Sequence, residues 1–178
     1  MAKSKKCGCD DKRKCKNHAQ LEFCTPIRFE QELVVTPPAT TPAPFPPSVP
    51  NPGITGLLKL SFDPELTQAK FKLYVFNAVN VPANALIGAA HLHGGQAGVN
   101  GAVVVPLFAA NPPVQSDGLL ASGTITNDTV NDLTVNGVVY NNVVSVYNAI
   151  LGRNMYVNVH GTGVFAPGMI RGQIIPDC

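Results

Sequence analysis

Three of the chain's four histidines fall where strand geometry can bring them together. His91 and His93 flank Leu92 just ahead of Gly94-Gly95, and His160 ends the stretch Tyr156-Val157-Asn158-Val159-His160. Alternate residues of an extended strand share a face, so His91 and His93 point the same way with Cα atoms roughly 7 Å apart. Tyr156, Asn158 and His160 share a face by the same rule. Three imidazoles can hold copper or zinc and leave one coordination position open. They can equally hydrogen-bond backbone groups at a strand end, where loops leave donors and acceptors unpaired. The working expectation is the second, with no cofactor, and His91, His93 and His160 are the metal ligands of the alternative. Tyr156, Asn158 and Arg171 are expected to be structural, the Arg171 guanidinium stapling loop carbonyls or a nearby carboxylate. No Ser-His-Asp set or carboxylate pair stands out. The run Gly94 to Gly98 precedes no helix, so it reads as a turn and not as a phosphate cradle.

The second set of reactive residues is the cysteines. Cys7, Cys9, Cys15 and Cys24 precede the body of the chain, Cys178 ends it, and none lies between. The spacing Cys7-x-Cys9-x5-Cys15-x2-His18 does not match paired zinc hooks. Cysteines one residue apart are poorly placed to bond each other. Within the body the plausible disulfide is Cys24 to Cys178. The other thiols are expected to reach neighbouring chains, so all five are candidates for intersubunit bonds.

These residues have to be positioned by short strands. Valine, threonine, asparagine, glycine and proline dominate the chain, which is a β composition rich in turns. Strands are expected at Ile27–Val35, Gly53–Phe62, Ala69–Phe76, Leu86–His93, Ala102–Phe108, Leu119–Thr126, Val130–Val135, Val138–Asn148, Met155–His160 and Met169–Ile175. Asn136-Gly137 marks a tight hairpin. Val143 to Leu151 is ambiguous between strand and short helix. Residues 1–25 lack hydrophobic periodicity and are expected to form a disordered, basic, Cys-rich arm. Residues 26–178 form the folded domain, with the proline-dense Thr36 to Pro52 as an exposed loop inserted into it. Eight to ten short strands at this spacing predict an all-β, antiparallel, Greek-key-like sandwich or barrel.

Apolar residues make up 45% of the chain and charged ones 13%, enough for one well-filled core under a weakly charged surface. Residues 1–18 carry seven Lys/Arg against two Asp, or +5, while the remainder carries six against nine, or −3. A basic arm on an acidic body is a solvated tail or a contact for nucleic acid. No window reaches the apolar length of a membrane span. The Lys-rich start is followed by charge and not by an apolar run, so synthesis in the cytosol without a signal peptide is expected.

Four stretches together resemble the CHRD family, named after chordin. They are Ala90-His91-Leu92-His93-Gly94-Gly95, then Gly98-x-Asn100-Gly101-x-Val103-Val104-Val105-x-Leu107, then Gly152-Arg153-x-x-Tyr156-Val157-Asn158-Val159-His160, and Pro167-Gly168-x-Ile170-Arg171-Gly172-Gln173-Ile174. The resemblance covers about residues 27–176. It implies an all-β sandwich found in extracellular, cell-surface and microbial proteins. Met169 stands where the family usually has an acidic residue, and Gly161 follows His160 where the family has threonine. The His-x-His with a later Val-His is also similar to copper-zinc superoxide dismutases.

The expected function is structural: a self-assembling subunit, joined head-to-tail to copies of itself by disulfides into a surface filament, fibre or layer. A spore surface, a cell surface or a virion would be its setting, with other coat proteins as further partners of the arm. A metal enzyme of superoxide dismutase type and a monomeric binding module with a nucleic-acid-contacting tail are the alternatives.

Overall fold

The alternation that builds the barrel is cleanest in β2 (Thr55–Phe62) and β3 (Gln68–Phe76). Leu58, Leu60 and Phe62 of β2 and Ala69, Phe71, Leu73 and Val75 of β3 are buried, while Lys59, Lys70 and Lys72 point away from the core. A two-residue period places one face of each strand on the core and the other in water. The computed structural model describes residues 21–33, 41–78, 81 and 85–176.

The remaining strands are β1 (Glu22–Arg28), β4 (Ile87–Gly94), β5 (Val103–Val114), β6 (Gly118–Thr126), β7 (Leu133–Val135), β8 (Val138–Tyr140), β9 (Met155–His160) and β10 (Ile170–Gln173). Eight of them form one antiparallel sheet in the order β5-β4-β9-β10-β1-β2-β3-β6. Its edge strands β5 and β6 approach each other, so the sheet curls into a nearly closed barrel. β7 and β8 pair separately around Asn136-Gly137, whose positive φ angles of 51° and 79° are those of the tight hairpin turn.

Several expectations need correction. β1 begins at Glu22, so Glu22 to Thr25, assigned to the arm, are paired along β2. The strand ends at Arg28 and does not continue to Val35; a single 3-10 turn, Phe29–Gln31, follows it. β5 runs on past Phe108 to Val114 through Pro112 and Pro113, which an edge strand with shifted register tolerates. Val143–Leu151 is a helix, α1, and the strand expected across Val138–Asn148 stops at Tyr140. Asn142 caps it by accepting from the Ser145 amide at 2.8 Å, and Ser145 Oγ accepts in return from the Asn142 amide at 3.1 Å. Val143, Val146, Tyr147 and Ile150 form its buried stripe, and the Tyr147 ring packs edge-on against Phe23 and Phe62 of the barrel.

Proline-rich residues 41–52 lie against the domain through Phe45, which stacks on Phe29 and meets Phe165 edge-on. Asn51 Nδ2 adds a hydrogen bond to Glu30. Cys24 is half-buried on β1; Cys7, Cys9, Cys15 and Cys178 lie outside the described residues, as does His18. Among the described residues there is no disulfide and no helix long and apolar enough to cross a membrane.

Candidate functional site

Ala90, Leu92, Val157 and Val159 belong to the barrel core, so the residues alternating with them face the other side of the sheet. Antiparallel register then lines these up in rows across three strands. Arg171 pairs with Asn158 and Asn158 with His91; Gln173 pairs with Tyr156 and Tyr156 with His93. His160 pairs with Ala89, one step along. The histidines thus sit on the outer face of the sheet toward the ends of their strands, with His93 next to last in β4 and His160 the last residue of β9. Their layer is roofed by the 94–101 loop, by Phe29 to Leu33 and by the turn after β9.

The three rings converge. His91 and His160 have ring centroids 4.9 Å apart, His91 and His93 5.5 Å, and His93 and His160 5.6 Å. One nitrogen from each lies within 4.8 Å of the others. His93 Nδ1 is 2.9 Å from the Gly101 carbonyl, and His160 Nδ1 is 3.1 Å from the Ala166 carbonyl. His91 Nδ1 is buried and meets no hydrogen-bond partner. Burial pushes the pKa of all three below the ordinary 6.5, with His91 and His93 at about 4. The like charges on the neighbouring rings lower His91 and His93 further. All three imidazoles are therefore neutral at pH 7 and able to offer nitrogen lone pairs.

Arg171 reaches the 96–100 loop with its guanidinium. It is 2% exposed and donates to Gln96 O at 3.1 Å, Val99 O at 2.9 Å and Asn100 Oδ1 at 3.0 Å. Its guanidinium carbon lies 3.4 Å from the centre of the Tyr156 ring, and that ring stacks in turn on His93. The Tyr156 hydroxyl accepts from the Gly101 amide. Gln173 Nε2 donates to the carbonyls of Gly95, Arg153 and Met155. Together these bonds fix the loop whose Gly101 carbonyl orients His93.

Sequence reasoning missed the carboxylate. Glu32, 1% exposed, reaches this layer from the segment after β1 and accepts from the Leu33 amide at 3.0 Å and from Asn158 Nδ2 at 3.4 Å. Its other oxygen, Oε2, and Asn158 Oδ1 are both buried without a partner. Burial raises the Glu32 pKa from 4.5 to about 7, against the lowering pull of the Leu33 amide and Arg171. A Cβ at Gly168 would come within 2.6 Å of the Glu32 carboxylate and of Asn158 Nδ2, so only glycine fits there. Met169, at the place noted above as usually acidic in the family it resembles, is fully buried in the core. Nothing in the local pattern around Glu32 marks it, because its side-chain partner Asn158 is 126 residues away in sequence. Asn100 and Gln173 were likewise unassigned.

Comparison with curated proteins and with solved structures gives no match. The family description "CHRD domain" matches residues 34–174, which contain the histidine layer, Asn158, Arg171 and the loop they hold. The chain belongs to the CHRD-domain family.

Proposed function

We propose that the chain is a structural subunit, a rigid barrel that joins copies of itself through thiols carried outside its core into a cross-linked surface filament, fibre or layer. The observation that carries this reading is the wiring of the polar layer. Arg171 directs its hydrogen bonds to its own 96–100 loop and its flat face to Tyr156. A buried cation so engaged makes a module stiff and offers little to a substrate. The distribution of cysteine adds to it: the long stretch between Cys24 and Cys178 holds none, so covalent joining falls to the two ends. Head-to-tail capture of an arm leaves an arm and an acceptor exposed at opposite ends, which permits growth, whereas mutual exchange closes a dimer. A spore surface, a cell surface or a virion would suit such a subunit, and other coat proteins could share its thiols. The test is electron microscopy and non-reducing electrophoresis of oxidised full-length protein. A ladder of oligomers that collapses with reductant is expected; a single monomer band under oxidising conditions overturns the reading.

A further inference from the structure

A carbonyl oxygen only accepts, so the contacts to Gly101 O and Ala166 O place a hydrogen on Nδ1 of both His93 and His160. A neutral imidazole carries one N–H, which leaves the Nε2 atom of each ring with a bare lone pair. Those two Nε2 atoms face each other at 3.4 Å. Neither can donate to the other, so the pair is repulsive unless a positive charge sits between them. A single shared proton would draw the two nitrogens closer than the 3.4 Å found, toward ordinary hydrogen-bond distance. A metal ion bound by both holds them apart. Imidazole nitrogens bound at 2.0–2.1 Å in tetrahedral geometry are about 3.3–3.4 Å apart, which is the separation found.

The third ring completes the set. A nitrogen of His91 lies within 4.8 Å of the other two, close enough for a turn of this half-buried ring to bring it to bonding distance. Its Nδ1 is a buried polar atom with no partner, and such atoms are costly to leave unsatisfied. The bonds from Nδ1–H to the Gly101 and Ala166 carbonyls are the kind of outer support that fixes tautomer and ring orientation for a metal ligand. Three neutral nitrogen donors suit copper or zinc and do not suit calcium or magnesium, which take oxygen.

We propose that His91, His93 and His160 bind one copper or zinc ion on the outer face of the barrel, with Nε2 of His93 and His160 as two of its ligands and a ring nitrogen of His91 as the third. The site is independent of whether the protein assembles.

The experiment uses the full chain with its cysteines alkylated, so that arm thiols cannot compete, titrated separately with Cu(II) and Zn(II). One ion per chain is expected for at least one of the two. His91→Ala, His93→Ala and His160→Ala should each weaken binding by about 100-fold or more, while His18→Ala leaves it unchanged. Because the buried rings also serve folding, nitrogen NMR of the unmodified, metal-free chain gives a second readout that needs no variant. It should show His93 and His160 as Nδ1–H tautomers whose Nε2 signals move on adding metal. No binding of either ion, binding that survives all three substitutions, or Nε2–H tautomers in the metal-free protein would overturn the site.

Discussion

Glu32 Oε2 and Asn158 Oδ1 are two buried acceptors that lack donors. Desolvation holds the Glu32 proton far up the scale, against the lowering pull of the Leu33 amide, Arg171 and Asn158 Nδ2. The group's folded pKa of about 7 lies above its ordinary 4.5. Its contribution to stability is therefore fully present below pH 4.5 and is lost as pH rises through 7. Glu32→Gln imitates the protonated acid and removes this dependence. Relative to the wild type it should gain stability between pH 4.5 and 7, reaching roughly 3 kcal/mol above pH 8. The histidines, whose depressed pKa values act in the opposite sense, are common to both proteins and cancel in the difference. A stability gap that does not change with pH, measured by denaturant melts, would mean that Glu32 is ionised throughout. Arg171→Lys keeps the charge but loses the planar stack on Tyr156 and two of the three bonds to the loop, and should cost about 3 kcal/mol. Hydrogen exchange should then rise across residues 94–101. The histidines were legible in the sequence because strand alternation fixes which side chains share a face, and register did the rest. Glu32 was not, since nothing local distinguishes a glutamate that will be buried by strands 126 residues away.

Strands and turns were mostly legible, and the exceptions share a cause. α1 (Val143–Leu151) is built from Val, Tyr and Ile, which favour strands, and its helical stripe is short. What decides for helix is the Asn142–Ser145 capping box together with the barrel surface that accepts Tyr147. β5 (Val103–Val114) was underestimated because its prolines signal an end, whereas an edge strand with shifted register can carry them. β1 was displaced because its pairing with β2, not its own composition, sets its bounds. The turn from β4 to β5 holds a sharper test. A Cβ at Gly101 would collide with the Gly94 carbonyl, whereas a Cβ at Gly98 meets nothing within 4 Å and faces only the strain of φ +82°. Gly101→Ala should therefore break the close approach that delivers the Gly101 carbonyl to His93, at a cost of about 3 kcal/mol or more. Gly98→Ala should cost about 1 kcal/mol. Equal melting temperatures for the two variants would show that the loop relaxes around either side chain.

The barrel is a single sheet rolled nearly closed, which blunts the edges that would otherwise recruit other chains. Growth into an assembly would then fall to segments outside it, and the start of β1 says where to cut. Residues 22–28 pair with β2 along their whole length, from Glu22 opposite Ser61 to Arg28 opposite Thr55. Phe23 and Ile27 are buried in the core. A deletion that removes residues 1–24 would destroy half of a barrel strand and confuse loss of assembly with loss of fold. Deleting residues 1–20 leaves every residue of β1 and removes Cys7, Cys9 and Cys15 together with the basic charge. The shortened protein should melt within a few degrees of the full chain and stay soluble. It should retain Cys24 and Cys178 yet build no disulfide-linked ladder, because the proposed growth needs an arm thiol to reach the next subunit and Cys24 is held half-buried on β1. Non-reducing electrophoresis of oxidised samples, paired with thermal melts, separates the outcomes. A shortened protein that melts normally and still builds the full ladder would place the joining contacts on the barrel itself, and the arm would then be a solvated tail.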